Sequence, residues 1–203
     1  MPNMPAAERR AKLLEAAYRV MSEGGVAAGT TRAIVQEAGM SLAAFHYCFD
    51  SREEMLRALI VDLSERERGS ARLALAAAEA GTVTDLAGTV RMALLGYLDH
   101  LEQRSGEELL LLELNHHALR TPALRELATE QYRGYYDGIQ QLLVGMAEQT
   151  GVRWRVGPEQ VARLAVTLTD GLTTTWLADR DSAAARETIE TIAEMVAGLA
   201  APA

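Results

Sequence analysis

A single cysteine, Cys48, and a single lysine, Lys12, stand among 203 residues, and aromatics make up only 5% of the chain. The lone thiol excludes an internal disulfide and leaves a cysteine-based zinc site without its second thiolate. Long apolar runs are lacking too, since each is broken within a few residues by Glu, Arg or Asp. A membrane span needs roughly 18 uninterrupted apolar residues, so no membrane partner is expected. Near the N-terminus Glu8, Arg9, Arg10 and Lys12 stand where a secretory leader would have its apolar centre, which makes the cytoplasm the expected location. Neither G-x-S-x-G, H-E-x-x-H, a Gly-Lys-Ser/Thr phosphate loop nor G-x-G-x-x-G occurs. Catalysis, a cofactor and a resident metal therefore have little to stand on.

What the chain does have is alanine, 35 residues of it, within a composition that is 49% hydrophobic and 24% charged. That bias toward helix formers predicts an all-α protein of globular type. The net charge of −8 is unevenly placed: residues 1–57 carry seven basic and seven acidic groups, and residues 58–203 carry 13 and 21. Converging cations in the neutral N-terminal part can meet phosphate, whereas the acidic remainder is repelled by it. If DNA is the partner, only the N-terminal part touches it.

Leu13, Ala17, Val20 and Met21 form one helical stripe over about 6–23, which Gly24-Gly25 is expected to end. After Gly29-Thr30-Thr31 a short helix covers 32–38, Gly39 stops it, and Ser41 can cap a second short helix over 42–49. Ser51 and Glu54 have capping-box spacing ahead of a long helix over 51–80. Further helices are predicted near 83–104, 107–119, 122–149, 158–178 and 182–200, with Pro122 and Pro158 at first helical positions. The two short helices joined by Gly39-Met40-Ser41 have the form of a helix-turn-helix. Phe45 and Phe49 supply the buried stripe of the second helix. Ala43 and Ala44 let its backbone approach base edges, and His46 and Tyr47 are left to contact bases or phosphates.

The stretch from Arg10 to Leu59, above all Thr30-Thr31-Arg32, Glu37-Ala38-Gly39-Met40-Ser41 and Phe45 through Glu54, resembles the DNA-binding domain of the TetR (tetracycline repressor) family. The resemblance implies a helix-turn-helix domain over 1–50, with its motif at about 30–49, and a helical effector-binding and dimerisation domain over 51–203. It implies that Thr30, Thr31 and Arg32 open the bracing helix at the phosphate backbone. Ser41, Leu42, Ala43, Ala44, His46 and Tyr47 would lie on the recognition helix, and Ser51 and Arg52 would match a Ser-Lys phosphate clamp. His46 and Cys48 depart from the usual tyrosine and histidine or tyrosine, and Leu42 from a position often basic or polar, suggesting contact with a thymine methyl group.

The resemblance further implies a homodimer on a double-stranded, pseudo-palindromic operator, built mainly from the last two helices. Val161, Leu164, Leu168 and Leu172 form a stripe on the penultimate helix, and Ile189, Ile192 and Val196 on the last; taken alone, these stripes fit an intramolecular core equally well. An effector pocket for a small molecule is implied among the middle helices, where Tyr97, His100, Asn115, His116, His117, Tyr136 and Trp176 stand. The function implied is ligand-responsive repression, with activation as the alternative. A helical metal-dependent enzyme is the competitor of another class, since Glu113 and His116 have Glu-x-x-His spacing, but no second copy of that motif exists. Arg9, Arg10 and Lys12 form either an arm toward DNA or a solvated terminus, Cys48 is either packing or a redox switch, and Trp154 is expected in a solvated turn.

Overall fold

A computed structural model describes residues 4–79 and 85–203. Among the described residues the elements run α1 (Ala6–Ala28), α2 (Thr31–Glu37), α3 (Leu42–Cys48), α4 (Arg52–Glu79), α5 (Leu86–Gln103), α6 (Ser105–Arg120), α7 (Arg125–Thr150), β1 (Val152–Trp154), α8 (Pro158–Asp179), α9 (Ser182–Ala197) and β2 (Ala200–Pro202). The all-α class holds. The predicted end of the long helix at 80, the break at Gly81 and a helix start near 83 lie outside the described residues. Two compact units form: the chain up to Arg66 with Gly106–Gln131, and Glu67–Ser105 with Tyr132–Ala203.

In the first unit Leu13, Ala17 and Met21 of α1 meet Ile34 of α2, Phe45 of α3 and Met55, Leu56 and Leu59 of α4 in one core. Leu110, Leu111 and Leu114 of α6 and Leu124, Leu127 and Ala128 extend it. Each leucine, isoleucine, methionine or phenylalanine among them contributes about 1.5–3 kcal/mol on burial. The turn between α2 and α3 follows from Gly39, whose φ of 64° admits the left-handed conformation. There the Gly39 N–H donates to the Gln36 carbonyl at 3.1 Å and the Met40 N–H to that of Val35 at 2.8 Å, a Schellman closure of α2. Thr30 and Ser41 cap α2 and α3, accepting from the N–H groups of Ala33 and Ala44 at 3.2 Å each. Ser51 caps α4, with the Glu54 N–H donating to Ser51 Oγ at 3.0 Å, and Glu54 reaches back one residue past the cap, its Oε2 accepting from the Asp50 N–H at 2.6 Å, a capping box shifted by one position.

The end of α1 lies beyond the predicted one, at Ala28. Gly24-Gly25 does interrupt the helical path, as expected: Gly25, at φ 73° and ψ 173°, is non-helical, but beyond this kink the helix resumes to Ala28. An L side chain rarely adopts that conformation, so the position requires glycine.

In the second unit α5 packs along α9, with α8 against α9. Val161, Ile192, Ala193 and Val196 join Leu86 and Val90 in one cluster, while Leu172, Trp176 and Ile189 join Leu98 and Leu101 in another. The predicted helix to residue 200 stops at Ala197 because Ala200–Pro202 pairs antiparallel with Val152–Trp154, Trp154 opposite Ala200. That ribbon also corrects the solvated turn expected at Trp154. The indole is half-buried and its Nε1 donates to the Leu143 carbonyl at 3.2 Å. The helix expected from Pro122 begins instead at Arg125, after a turn closed by the Leu124 N–H on the Thr121 carbonyl at 2.9 Å. Pro158 does open α8.

Candidate nucleic-acid interface

α3 buries one face and presents the other. Phe45 and Phe49 are fully enclosed, with ring centroids 5.4 Å apart. On the outer side Ser41, Leu42, Ala43, His46 and Tyr47 are exposed and Ala44 is half-buried. Tyr47 is 70% exposed and Leu42 45%, which leaves both side chains open to a partner. The small residues between them leave the backbone accessible, as close approach to a groove floor requires. His46 stands edge-on to Phe45 with centroids 5.6 Å apart. At the start of α2 Thr31 is half-buried and Thr30 and Arg32 are exposed, and Arg32 enters no ion pair among the described residues. Along α2 and α3, then, donors suited to phosphate flank a surface suited to base edges.

The cations of α1 divide in a way the sequence did not reveal. Arg9 lies 5.2 Å above the Tyr47 ring, donates to the Met4 carbonyl at 3.0 Å, and with Met4, Pro5, Ala6 and Tyr47 lines a cleft of about 540 Å³. Arg10 turns inward, donating to the Cys48 carbonyl at 2.9 Å, stacking 4.3 Å from the Phe49 ring centroid and pairing with Glu54 at 3.6 Å. It closes the end of α3, while Lys12 pairs with Glu8 at 3.4 Å.

Arg52 departs most from its expected place. Its Nε donates to the Gly29 carbonyl and its Nη2 to that of Val26, each at 2.7 Å. Those two donors satisfy carbonyls at the end of α1, a use of arginine's fork that sequence spacing does not signal. Ser51 serves as the cap of α4.

A family model described as "Bacterial regulatory proteins, tetR family" matches residues 13–59, the segment from α1 into α4, and one described as "BetI-type transcriptional repressor, C-terminal" matches residues 86–201. The chain belongs to the TetR family. It is a transcriptional regulator of that family. Among its relatives, the HTH-type nicotine-responsive transcriptional repressor HdnoR of Paenarthrobacter nicotinovorans is 30% identical over 177 residues, 85% of each chain. The HTH-type transcriptional regulator TtgR of Pseudomonas putida is 27% identical over 87% of this chain and 84% of that one. The crystal structure of the multidrug binding protein EbrR complexed with imidazole has a TM-score of 0.72 at 26% identity, covering 97% of each chain.

The residues expected to line an effector pocket of this TetR-family chain fall into both units. Asn115, His116 and His117 belong to the first, where Asn115 is buried, His117 half-buried and His116 exposed. Asn115 Oδ1 is buried without a hydrogen-bond partner among the described residues, which costs about 1–3 kcal/mol in an isolated fold. Glu113, weighed above as a metal ligand beside His116, instead accepts a hydrogen bond from the Val26 N–H at 3.0 Å. Among the described residues no three His, Cys, Asp or Glu side chains gather as a cation site.

In the second unit Tyr97 Oη lies 2.6 Å from Thr173 Oγ1, and Trp176 Nε1 donates to Ser182 Oγ at 3.0 Å beneath the Arg180 guanidinium, 4.6 Å from the ring centroid. His100 is half-buried, and Tyr136 is half-buried under the Arg163 guanidinium at 4.4 Å. Beside it Tyr132 Oη donates to Asp170 Oδ2 at 3.0 Å. Asp170 keeps an exposed surface, and the partial removal of its carboxyl from water by packing raises it above the ordinary 3.8, against the lowering effect of the Tyr132 hydrogen bond. A carboxyl raised in the folded state binds its proton more tightly there than in the unfolded chain. The contribution of Asp170 to folding is therefore greatest at low pH, and it is lost as pH rises from about 3.8 through the raised value. Asp170→Asn, which keeps an acceptor for Tyr132, is expected to raise the thermal midpoint at neutral pH, with the gain fading below pH 4; melting curves over pH 3–8 check it.

Of the residues expected at a dimer interface, Val161, Leu172, Ile189, Ile192 and Val196 are buried within the protomer. They pack in the two clusters of the second unit. Leu164 and Leu168 alone keep partial exposure.

Proposed function

We propose that this chain represses transcription by binding a pseudo-palindromic operator as a homodimer, and that a small-molecule effector retunes that binding. What carries the reading is the outer face of α3, where Leu42, Ala43, His46 and Tyr47 lie open above an enclosed core. In this proposal residues 1–50 form the DNA-binding domain and residues 51–203 the effector-binding and dimerisation domain. Thr30, Thr31, Arg32, Ser41 and Ser51 meet phosphates, and Leu42, Ala43, Ala44, His46 and Tyr47 face base edges. Arg52 acts through the end of α1.

An effector that binds one arrangement of the dimer better than another shifts the population between bound and released forms, and the shift equals its differential affinity. Asn115 is our first candidate to meet it, because a ligand donor would satisfy a buried oxygen that the fold leaves unpaired. Tyr97, His100, His116, His117, Tyr136 and Trp176 remain candidates on chemistry. The relatives' names, one nicotine-responsive and one complexed with imidazole, support an organic effector without identifying it.

The test is competition between a duplex recovered by selection from a randomised library and a random duplex. Tyr47→Ala is expected to lose about tenfold on the selected duplex, within the 1–3 kcal/mol of one base contact, and little on the random one. Equal losses on both would make Tyr47 a phosphate contact and sink the assignment of α3 as the reading surface.

A further inference from the structure

We propose that Glu113 of α6 is a positioning residue for DNA binding, holding the kinked end of α1 on which the helix-turn-helix is built. The inference rests on the reading of α2 and α3 as the DNA-binding element. Gly25 breaks the helical path, and at the next residue the Val26 N–H donates to Glu113 Oε2 at 3.0 Å, across 87 residues of sequence. A Cβ on Gly25 would come within 3.1 Å of that same oxygen. The missing side chain at 25 and the carboxylate at 113 therefore belong together.

On its other side the same segment gives the carbonyls of Val26 and Gly29 to Arg52 of α4, at 2.7 Å each. An anion from α6 thus holds the N–H side and a cation from α4 the carbonyl side of a few residues. Immediately beyond them Thr30 caps α2, and α2 carries the turn into α3. Any rotation of the kinked segment moves the start of α2 and with it the outer face of α3. Glu113 lies in the part of the chain that matches the C-terminal family model and Val26 in the part that matches the N-terminal one, yet both belong to one compact unit. A displacement of α6 therefore has a direct polar route to the DNA-binding element, and the occupancy of that route depends on the length and acceptor character of one side chain.

The experiment uses the full-length protein with Glu113→Ala and Glu113→Gln, the duplex recovered by selection as probe, and a temperature well below each melting midpoint. Glu113→Ala is expected to lose about tenfold in affinity with its salt slope unchanged, because Glu113 touches no phosphate. Glu113→Gln keeps an acceptor oxygen at the same reach and should stay within about threefold of the wild type. Amide exchange supplies the readout that a merely stabilising role would not move. Added duplex should slow exchange over 108–118 in the wild type and in Glu113→Gln, and should fail to do so in Glu113→Ala. Wild-type affinity in Glu113→Ala, equal losses in both variants, or equal slowing of α6 in all three proteins would overturn the proposal. Should Glu113→Ala melt too low, Glu113→Asp, which keeps the charge and shortens the reach by one methylene, carries the same expectations as alanine. If the wild type itself prefers no selected duplex, the DNA-binding reading fails and this inference falls with it.

Discussion

Gly171→Arg is expected to give a folded, helical monomer that holds its operator about a hundredfold more weakly. The outer face of α8 carries Leu164 and Leu168, half-buried, then Gly171, Thr175 and Ala178, exposed. On α9 Ala184, Thr188, Thr191 and Met195 are exposed. Both sets recur at alternating steps of four and three, the spacing of a helix seam. A Cβ added to Gly171 meets nothing within 4 Å inside the protomer, and arginine is a better helix former than glycine by roughly 0.7–1 kcal/mol. The protomer should therefore melt no lower than the wild type. Against a second copy, the same guanidinium would be forced out of water among the small and apolar side chains of this face, at a cost of several kcal/mol. Loss of the second protomer removes the effective concentration that links two half-sites, commonly a factor of 10²–10⁴. Sedimentation, melting and duplex competition on the one variant check all three parts. A variant that remains dimeric would remove this face from the proposed interface.

Arg52→Ala should destabilise the first unit by about 2–4 kcal/mol, since hydrogen bonds from a charged donor contribute about 1.5–3 kcal/mol each and do not simply add. The Gly29 carbonyl would be left to water or unpaired, and that of Val26 would keep only the Gly29 N–H at 3.3 Å. The salt dependence of DNA binding distinguishes this role from a phosphate clamp, because each neutralised phosphate contributes about 0.9 to the slope. An unchanged slope with a lowered midpoint is the expected pair. A slope flattened by about one, at an unchanged midpoint, would return Arg52 to the phosphate backbone. Arg52→Lys should recover only part of the stability, as an ammonium lacks the fork that reaches Val26 and Gly29 together.

Arg52 also marks where sequence and structure part company. The signals that read correctly from the chain are local ones: Gly39 closing α2, Thr30 and Ser41 as caps, and Ser51 with Glu54 at the start of α4. Each is complete within a few residues, so spacing suffices to find it. Gly24-Gly25 breaks the helical path for the same local reason, but the acceptor that meets the next N–H is Glu113, and no local rule reaches 87 residues. The ribbon joining Trp154 to Ala200 is hidden likewise, because three-residue strands carry no period. On α8 and α9 the strongest apolar stripes were found correctly, yet Val161 and Ile189 proved fully buried within the protomer. Periodicity identifies a face that must be covered and does not say by what. The interface we favour on those helices joins Leu164, Leu168 and Met195 to a weaker pattern of glycine, alanine and threonine. Only their exposure brings it out.

Most directly, the account is tested by selection of the full-length protein on a randomised duplex library, followed by the mass of the complex on the recovered duplex. The predicted result is an inverted repeat with half-sites about one helical turn or a multiple apart, bound by an even number of protomers and preferred over random duplex by about 10³ or more. Recovery of no common site, or of an asymmetric site bound by one protomer, would contradict it.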